Sequence, residues 1–145
     1  MEEKIKIRKV ERKDLKEIVE IYHIESSKKP YNETRLKKES MKEVAEFYND
    51  EFYVAVKGDI IIGFIASCIT NKKERRAYIL ELWLKNEWKG KGIGKELMNF
   101  IEDYYSKKGI KKIRLTTKKK ARAFGFYEKL KYKEKKDLVY MEKKL

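Results

Sequence analysis

The sequence predicts a single mixed α/β domain with one central sheet, its elements in the order βααβββαβαββ. Three observations predict it. Short apolar runs of strand character alternate with segments whose apolar residues recur at helical spacing. A glycine-rich bend, Trp88 to Lys95, leads from one of the apolar runs into an amphipathic segment. No linker, internal repeat or low-complexity stretch divides the 145 residues. A chain of this size buries roughly two thirds of its unfolded surface on folding, so one core suffices without a disulfide or metal staple.

Lys4 to Arg8 alternates, with Ile5 and Ile7 on one side, and reads as a strand. Leu15, Ile18, Val19 and Tyr22 follow at i, i+3, i+4 and i+7, the stripe of a helix with Asp14 at its start. Ser26 to Pro30 breaks the pattern. Asn32-Glu33-Thr34 then opens a second expected helix running to about Tyr48, with Leu36, Met41, Val44, Ala45 and Tyr48 towards its apolar side. Phe52–Val56 and Ile60–Ile69 are β-rich runs joined by the tight turn Lys57-Gly58-Asp59, and the polar turn 71–75 leads to a third run, Ala77–Leu84, completing a meander.

A third helix is expected over Gly92–Lys107, with Ile93, Leu97, Met98 and Ile101 inward and Gly109 beyond its end. Ile110–Thr117 reads as a strand that a right-handed crossover lays parallel to Ala77–Leu84. A fourth helix, Ala121–Leu130, precedes strands at about Tyr132–Glu134 and Leu138–Glu142. The sheet edge near Leu138–Glu142 is available for pairing with a second copy, and the oligomeric state is left open.

Composition narrows the chemistry. Cys68 is the single cysteine and His23 the single histidine, so no Cys/His zinc cluster exists and a nucleophile–histidine apparatus would rest on one residue. Cys68 lies in an apolar run and is expected as buried filler, compatible with a reducing compartment. No apolar run approaches the roughly 18 residues of a membrane span. The chain starts with Glu2 and Glu3 where a leader would be basic and then apolar. A soluble, cytoplasmic protein is expected. The 38 Lys and Arg against 24 Asp and Glu give a formal charge of +14, a field that attracts polyanions. The basic residues are scattered from Lys4 to Lys144, as on a solvated surface, and the charge alone identifies no partner; a nucleic-acid-associated module without catalysis stays as an alternative.

The bend Lys89-Gly90-Lys91-Gly92-Ile93-Gly94-Lys95 concentrates the chemistry. Bare backbone NH groups at a helix start form an anion seat, and glycines let the main chain approach a phosphate. A dinucleotide fingerprint does not fit, because the third glycine position falls on Lys95 or Leu97. A P-loop does not fit either, since Glu96 stands where Ser or Thr is required. A strand, a bend and K-x-x-G-x-G into a helix remain.

This motif resembles that of the GNAT acetyl-CoA-dependent N-acetyltransferases, with Lys89 in the place of the family's Arg or Gln. Downstream, Ala123 to Tyr132, AFGFYEKLKY, is similar to the family's Ala-x-x-Phe-Tyr-Glu-Lys-Leu-Gly-Phe segment, with Lys131 in the glycine position. Residues 4–19 are similar to its first strand and helix. With one histidine and one cysteine, no metal is expected, and the resemblance implies acetyl-CoA as co-substrate. It puts the pyrophosphate on the amides from Lys89 to Lys95 and the pantetheine arm along Leu82, Trp83 and Leu84, and brings Ala123 and Tyr127 to the cofactor. Lys120 stands where the family commonly has an asparagine for the cofactor arm; this departure suits the anionic end of CoA, with a solvated basic loop as the equal alternative.

Direct transfer of acetyl to an amine also needs a base and an acid. A primary amine arrives protonated and must lose a proton before it attacks. Glu81 interrupts the apolar run Tyr78 to Leu84, where a carboxylate is costly unless it faces a cleft or has a partner; it is the candidate base, with pairing to Arg75, Arg76 or Arg114 as the structural alternative. Tyr127 matches the family tyrosine placed near the cofactor sulfur and is the candidate acid for the departing thiolate. A peptide or protein amine is ranked narrowly ahead of a polyamine or small amine as acceptor. A CoA-binding domain without catalysis is the third reading.

Overall fold

A computed structural model describes residues 4–145; Glu2 and Glu3 lie outside the described residues. The strands are β1 (Ile5–Lys9), β2 (Glu51–Lys57), β3 (Ile60–Asn71), β4 (Arg76–Leu84) and β5 (Lys112–Arg114). The helices are α1 (Leu15–Ser26), α2 (Lys37–Glu46), α3 (Ile93–Lys107) and α4 (Arg122–Lys129). They form a five-stranded sheet in the order β1-β2-β3-β4-β5, antiparallel except for the parallel pair β4–β5. The α3 crossover supplies that parallel pair, as the strand–helix–strand pattern requires.

The sheet separates two apolar layers. On one face Ile18, Val19 and Tyr22 of α1 and Val44 of α2 pack on Phe52, Val54 and Phe64. On the other, Ile93, Leu97, Met98 and Ile101 of α3 pack on Ala55, Ile62, Ile65 and Ile79, with Phe126 and Tyr127 of α4 beside them. The inward residues of α3 are those its spacing predicts. The hairpin between β2 and β3 turns at Gly58-Asp59, where Gly58 has φ +60.

Several expectations need correction. The second helix begins at Lys37, because Asn32–Leu36 runs as irregular chain and the Leu36 amide donates to Glu39 at 3.0 Å, starting the helix there. Its inward residues are Ser40, Val44 and then Phe47; Leu36, Met41 and Ala45 are exposed. The strand expected over Ile110–Thr117 is cut to three residues, since its C-terminal part turns away from β4.

The strands expected at Tyr132–Glu134 and Leu138–Glu142 do not form. Lys131 takes φ +74 just beyond α4, and the amides of Lys131 and Tyr132 return to the carbonyls of Glu128 and Tyr127 in a helix-ending motif. The Tyr132 hydroxyl then donates to Glu102 of α3 at 2.7 Å, which holds this residue against a helix and away from the sheet. Leu138, Val139, Tyr140 and Met141 are exposed, so the pairing edge expected there has no strand. Cys68 is half-buried, not fully enclosed, and burial pushes its thiol up. Among the described residues no helix is long and apolar enough to cross a membrane.

Candidate active site

The site begins with a fault in β4. Ser67 of β3 pairs with Ile79 while Ala66 pairs with Glu81, so Leu80 is an extra residue, a β-bulge. Strict alternation would put Glu81 on the face of Ile79, beneath α3. The bulge places Leu80, Glu81 and Trp83 on the α1 face, with Leu82 and Leu84 towards α3. Beyond Tyr78 the parallel partner is also lost, because β5 pairs only with residues 76–78. Leu82, Trp83 and Leu84 therefore have β3 on one side and a free strand edge on the other. The gap between the diverging strands is a small cleft lined by Tyr31, Glu81, Leu82, Trp83, Ala123 and Tyr127, together with neighbouring residues of both strands.

Glu81 is the half-buried carboxylate of this cleft. Its Oε2 accepts from the Trp83 indole at 2.5 Å, and its Oε1 lies 3.3 Å from the Tyr22 hydroxyl. Burial raises its pKa, and repulsion from Glu33 adds to this; the Trp83 and Tyr22 hydrogen bonds and Arg35 pull the other way, leaving it at about 7. Arg75, Arg76 and Arg114, the structural partners the sequence offers, make no ion pair with it. Arg35 of the α1–α2 loop takes that neighbourhood, with its guanidinium bonded to the Tyr22 hydroxyl at 2.5 Å and paired with Glu33 and Glu43.

Tyr127 reaches the same cleft from α4 on the opposite side. Burial pushes its phenol up, and the nearby Tyr31 and Glu81 push it further, so it stays protonated at neutral pH. The Tyr31 ring stands edge-on to Trp83 with centroids 4.9 Å apart. Lys118, from the loop after β5, donates to the carbonyls of Pro30 and Tyr31 at 3.0 and 3.3 Å and so bridges the two loops that flank the cleft.

The glycine-rich turn lies at the end of β4. Gly90 and Gly92 have φ +76 and +83, and a Cβ on either would meet nothing within 4 Å. Their role is conformational. Gly94 has a different one: a Cβ there would stand 3.3 Å from the Phe126 ring, so this glycine lets α4 approach α3. The amides of Gly90, Lys91, Gly92, Ile93, Gly94 and Lys95 donate to no backbone carbonyl, and α3 is capped by no side chain. A run of free NH groups at the start of a fifteen-residue helix suits the diphosphate that the motif predicts.

The lysines around this turn divide. Lys91 lies over the Trp88 ring at 4.9 Å, and Lys95 is exposed beside the free amides. Lys89 donates to Oε1 of Glu25 at 2.5 Å, and Lys28 donates to Oε2 of the same carboxylate at 2.8 Å. Burial pushes Glu25 up, but the two ammonium groups outweigh it and hold the carboxyl below its ordinary range. Lys119 pairs with Glu134, while Lys120 is exposed and forms no ion pair among the described residues. His23 lies between α1 and α2, its Nδ1 3.4 Å from the Ser40 hydroxyl, and does not line the cleft.

Glu25, Tyr22 and Arg35 were not singled out from sequence as site residues. Tyr22 occupies a core position of the α1 stripe. Glu25 lies in the last turn of α1, where nothing local distinguishes it from the other helix acids.

Comparison with known proteins bears on this geometry directly. The model of the acetyltransferase (GNAT) family matches residues 18–132. The crystal structure of PaiA N-acetyltransferase from Thermoplasma acidophilum in complex with coenzyme A is 30% identical, covers 88% of each chain and superposes with a TM-score of 0.70. A possible acetyltransferase from Clostridium difficile 630 has the same fold, with a TM-score of 0.83 at 21% identity over 97% of this chain and 98% of that one. In sequence, the L-2,4-diaminobutyric acid acetyltransferase of Shouchella clausii is 27% identical over 73 residues; the match spans 50% of this chain and 41% of that relative. The free edge of β4, the glycine turn and the family match lead to one conclusion: the chain belongs to the GNAT family of acetyltransferases.

Proposed function

We propose that this acetyltransferase moves acetyl from acetyl-CoA directly to a primary amine of a small cationic acceptor bearing a second positive charge, such as a diamine or polyamine. The observation that carries the reading is that one cleft holds a carboxylate poised near neutrality, Glu81, and a protonated phenol, Tyr127, beside an unpaired strand edge. Acetyl-CoA, as substrate, supplies the activated acyl group. The free amides from Gly90 to Lys95 hold its diphosphate, with charge from Lys91 and Lys95. The edge of Leu82–Leu84 pairs with the amide-bearing arm, and a β4 NH polarises the thioester carbonyl, a contribution of roughly a few kcal/mol. Ala123 and Tyr127 flank the arm, and exposed Lys120 faces the anionic end.

Glu81 takes the proton of the incoming ammonium. Tyr127 donates a hydrogen bond to the sulfur as its bond to the acyl carbon breaks. Because its surroundings raise its pKa well above that of a thiol, full transfer from the phenol is uphill, and the proton reaching sulfur is replaced from the amine nitrogen.

The acceptor class follows from charge. Although the whole chain is +14, the wall beyond Glu81 carries Glu33 and Glu43 against the single Arg35, so this end of the cleft keeps a negative excess. The diaminobutyrate relative's name points to the same class of acceptor. The sequence ranks a peptide or protein amine first, and this reading differs on the strength of those carboxylates. A thiol-release screen with acetyl-CoA against diamines, polyamines, amino acids and N-terminal and lysyl peptides tests it. Diamines or polyamines should lead by at least tenfold in kcat/KM; peptides leading would return the acceptor to the first ranking.

A further inference from the structure

Each turnover that begins with an ammonium forms a C–N bond, breaks the C–S bond, leaves one proton on sulfur and releases another. The released proton rests first on Glu81, half-buried between β4 and α1 with the cleft in front of it occupied by the reactants during turnover, so an exit on the α1 side is of use. The Tyr22 hydroxyl supplies a connection. Tyr22 is 1% exposed, and its oxygen lies 3.3 Å from Oε1 of Glu81 on one side and 2.8 Å from Oε1 of Glu43 on the other. A phenol has one proton and cannot donate to both carboxylates at once, so its hydrogen bond has two orientations. The Glu43 side chain is 36% exposed and reaches solvent.

We propose that Tyr22 is the relay residue through which the proton collected by Glu81 leaves for Glu43 and solvent. Protonated Glu81 donates to the Tyr22 oxygen as Tyr22 passes its own proton to Glu43; Glu43 releases that proton to solvent, the hydroxyl, left pointing at Glu81, rotates back to Glu43 and resets the relay, and no net charge stays on the phenol. Arg35, bonded to the Tyr22 oxygen and paired with Glu43, holds both groups in line and stabilises negative charge developing on either. The other groups facing Glu81 do not offer this path. The Trp83 NH only donates. Tyr31 and Tyr127 lie on the cleft side, and Glu33 is paired with Arg35.

The proposal rests on Glu81 as base, and its test separates the two claims. Tyr22→Phe keeps the ring and its edge contact with Trp83, and Glu43→Gln keeps shape while removing the proton acceptor. Each should lower kcat about tenfold, a modest part of what proton transfer contributes, with the KM for acetyl-CoA within about twofold of wild type. Added imidazole should restore kcat in both variants and leave wild type unchanged, and the solvent deuterium effect on kcat should rise in the variants. Unchanged kcat, a loss confined to the KM for the amine, or a loss that imidazole does not recover would each overturn the relay. If Tyr22→Phe does not fold, Glu43→Gln at its partly exposed position decides. Glu81→Gln is measured alongside: a wild-type rate there removes the base itself, whereas a slow Glu81→Gln with fast Tyr22→Phe and Glu43→Gln removes only the relay.

Discussion

Glu25 and Lys89 form an ion pair of 2.5 Å that ties the end of α1 to the start of the phosphate turn, with the carboxylate side chain 3% exposed and the ammonium 39%. The same carboxylate receives Lys28, and the Ser26 carbonyl next to it accepts from Glu33. One buried anion thus anchors both the glycine-rich turn and the loop between α1 and α2.

Glu25→Gln should raise the KM for acetyl-CoA about tenfold, near 1.4 kcal/mol, while kcat changes little. Lys89→Met should do the same, and the double variant should lose less than the sum, because each change breaks one shared contact. Steady-state kinetics of the four proteins measures it; strictly additive losses would mean that Lys89 acts on the phosphate without Glu25.

Tyr127→Phe should lower kcat about a hundredfold with little change in either KM or in melting temperature, because the ring that packs beside Phe126 is kept. A rate within twofold of wild type would leave the sulfur's proton to another source.

The proposed base, Glu81, must be ionised to accept a proton, so kcat/KM should climb as pH rises through about 7 and flatten above it. The same shift sets a stability trend of the opposite sense. The folded state holds this proton more tightly than the unfolded chain, whose carboxyl titrates near the ordinary value. Stability is therefore lost as pH rises from about 4.5 to 7, by at most a few kcal/mol. Glu81→Gln should abolish the acidic limb of the rate profile and melt higher than wild type at pH 8 but not at pH 4. Melting curves at the two pH values check this.

Lys131 takes a positive φ of 74 at the end of α4, where glycine carries no Cβ penalty. Lys131→Gly should stabilise the protein by about 1 kcal/mol, visible as a higher midpoint in urea. Gly92→Ala, at φ +83, should cost about as much, and should also weaken acetyl-CoA binding by turning the free amides out of line.

Local pattern carried much of the architecture. The meander, the inward stripe of α3 and the glycine turn each announce themselves within a few residues, through alternation, helical spacing or the absence of side chains. Tyr127 was legible for a similar reason, since its surrounding segment is a recognisable run. The rest depends on partners distant in sequence. Glu25 looks like any helix acid until Lys89 arrives from the far end of β4. Tyr22 reads as core filler until its hydroxyl meets carboxylates from α2 and β4. The α2 face departs from its apolar pattern because Ser40 is buried and Met41 exposed, an inversion that only the packing against α1 decides. The last strands failed because their apolar residues are enough for a strand, yet Tyr132 is claimed by Glu102 first.

The unpaired Leu80 sets the polarity of this enzyme's interior. Regular alternation with Leu80 retained and paired would turn the carboxylate at 81 under the opposite layer of helices, among Ile79's apolar neighbours, with every amino acid of the site still present. In this scaffold a one-residue bulge, as much as any side chain's identity, decides which face of the sheet a carboxylate occupies.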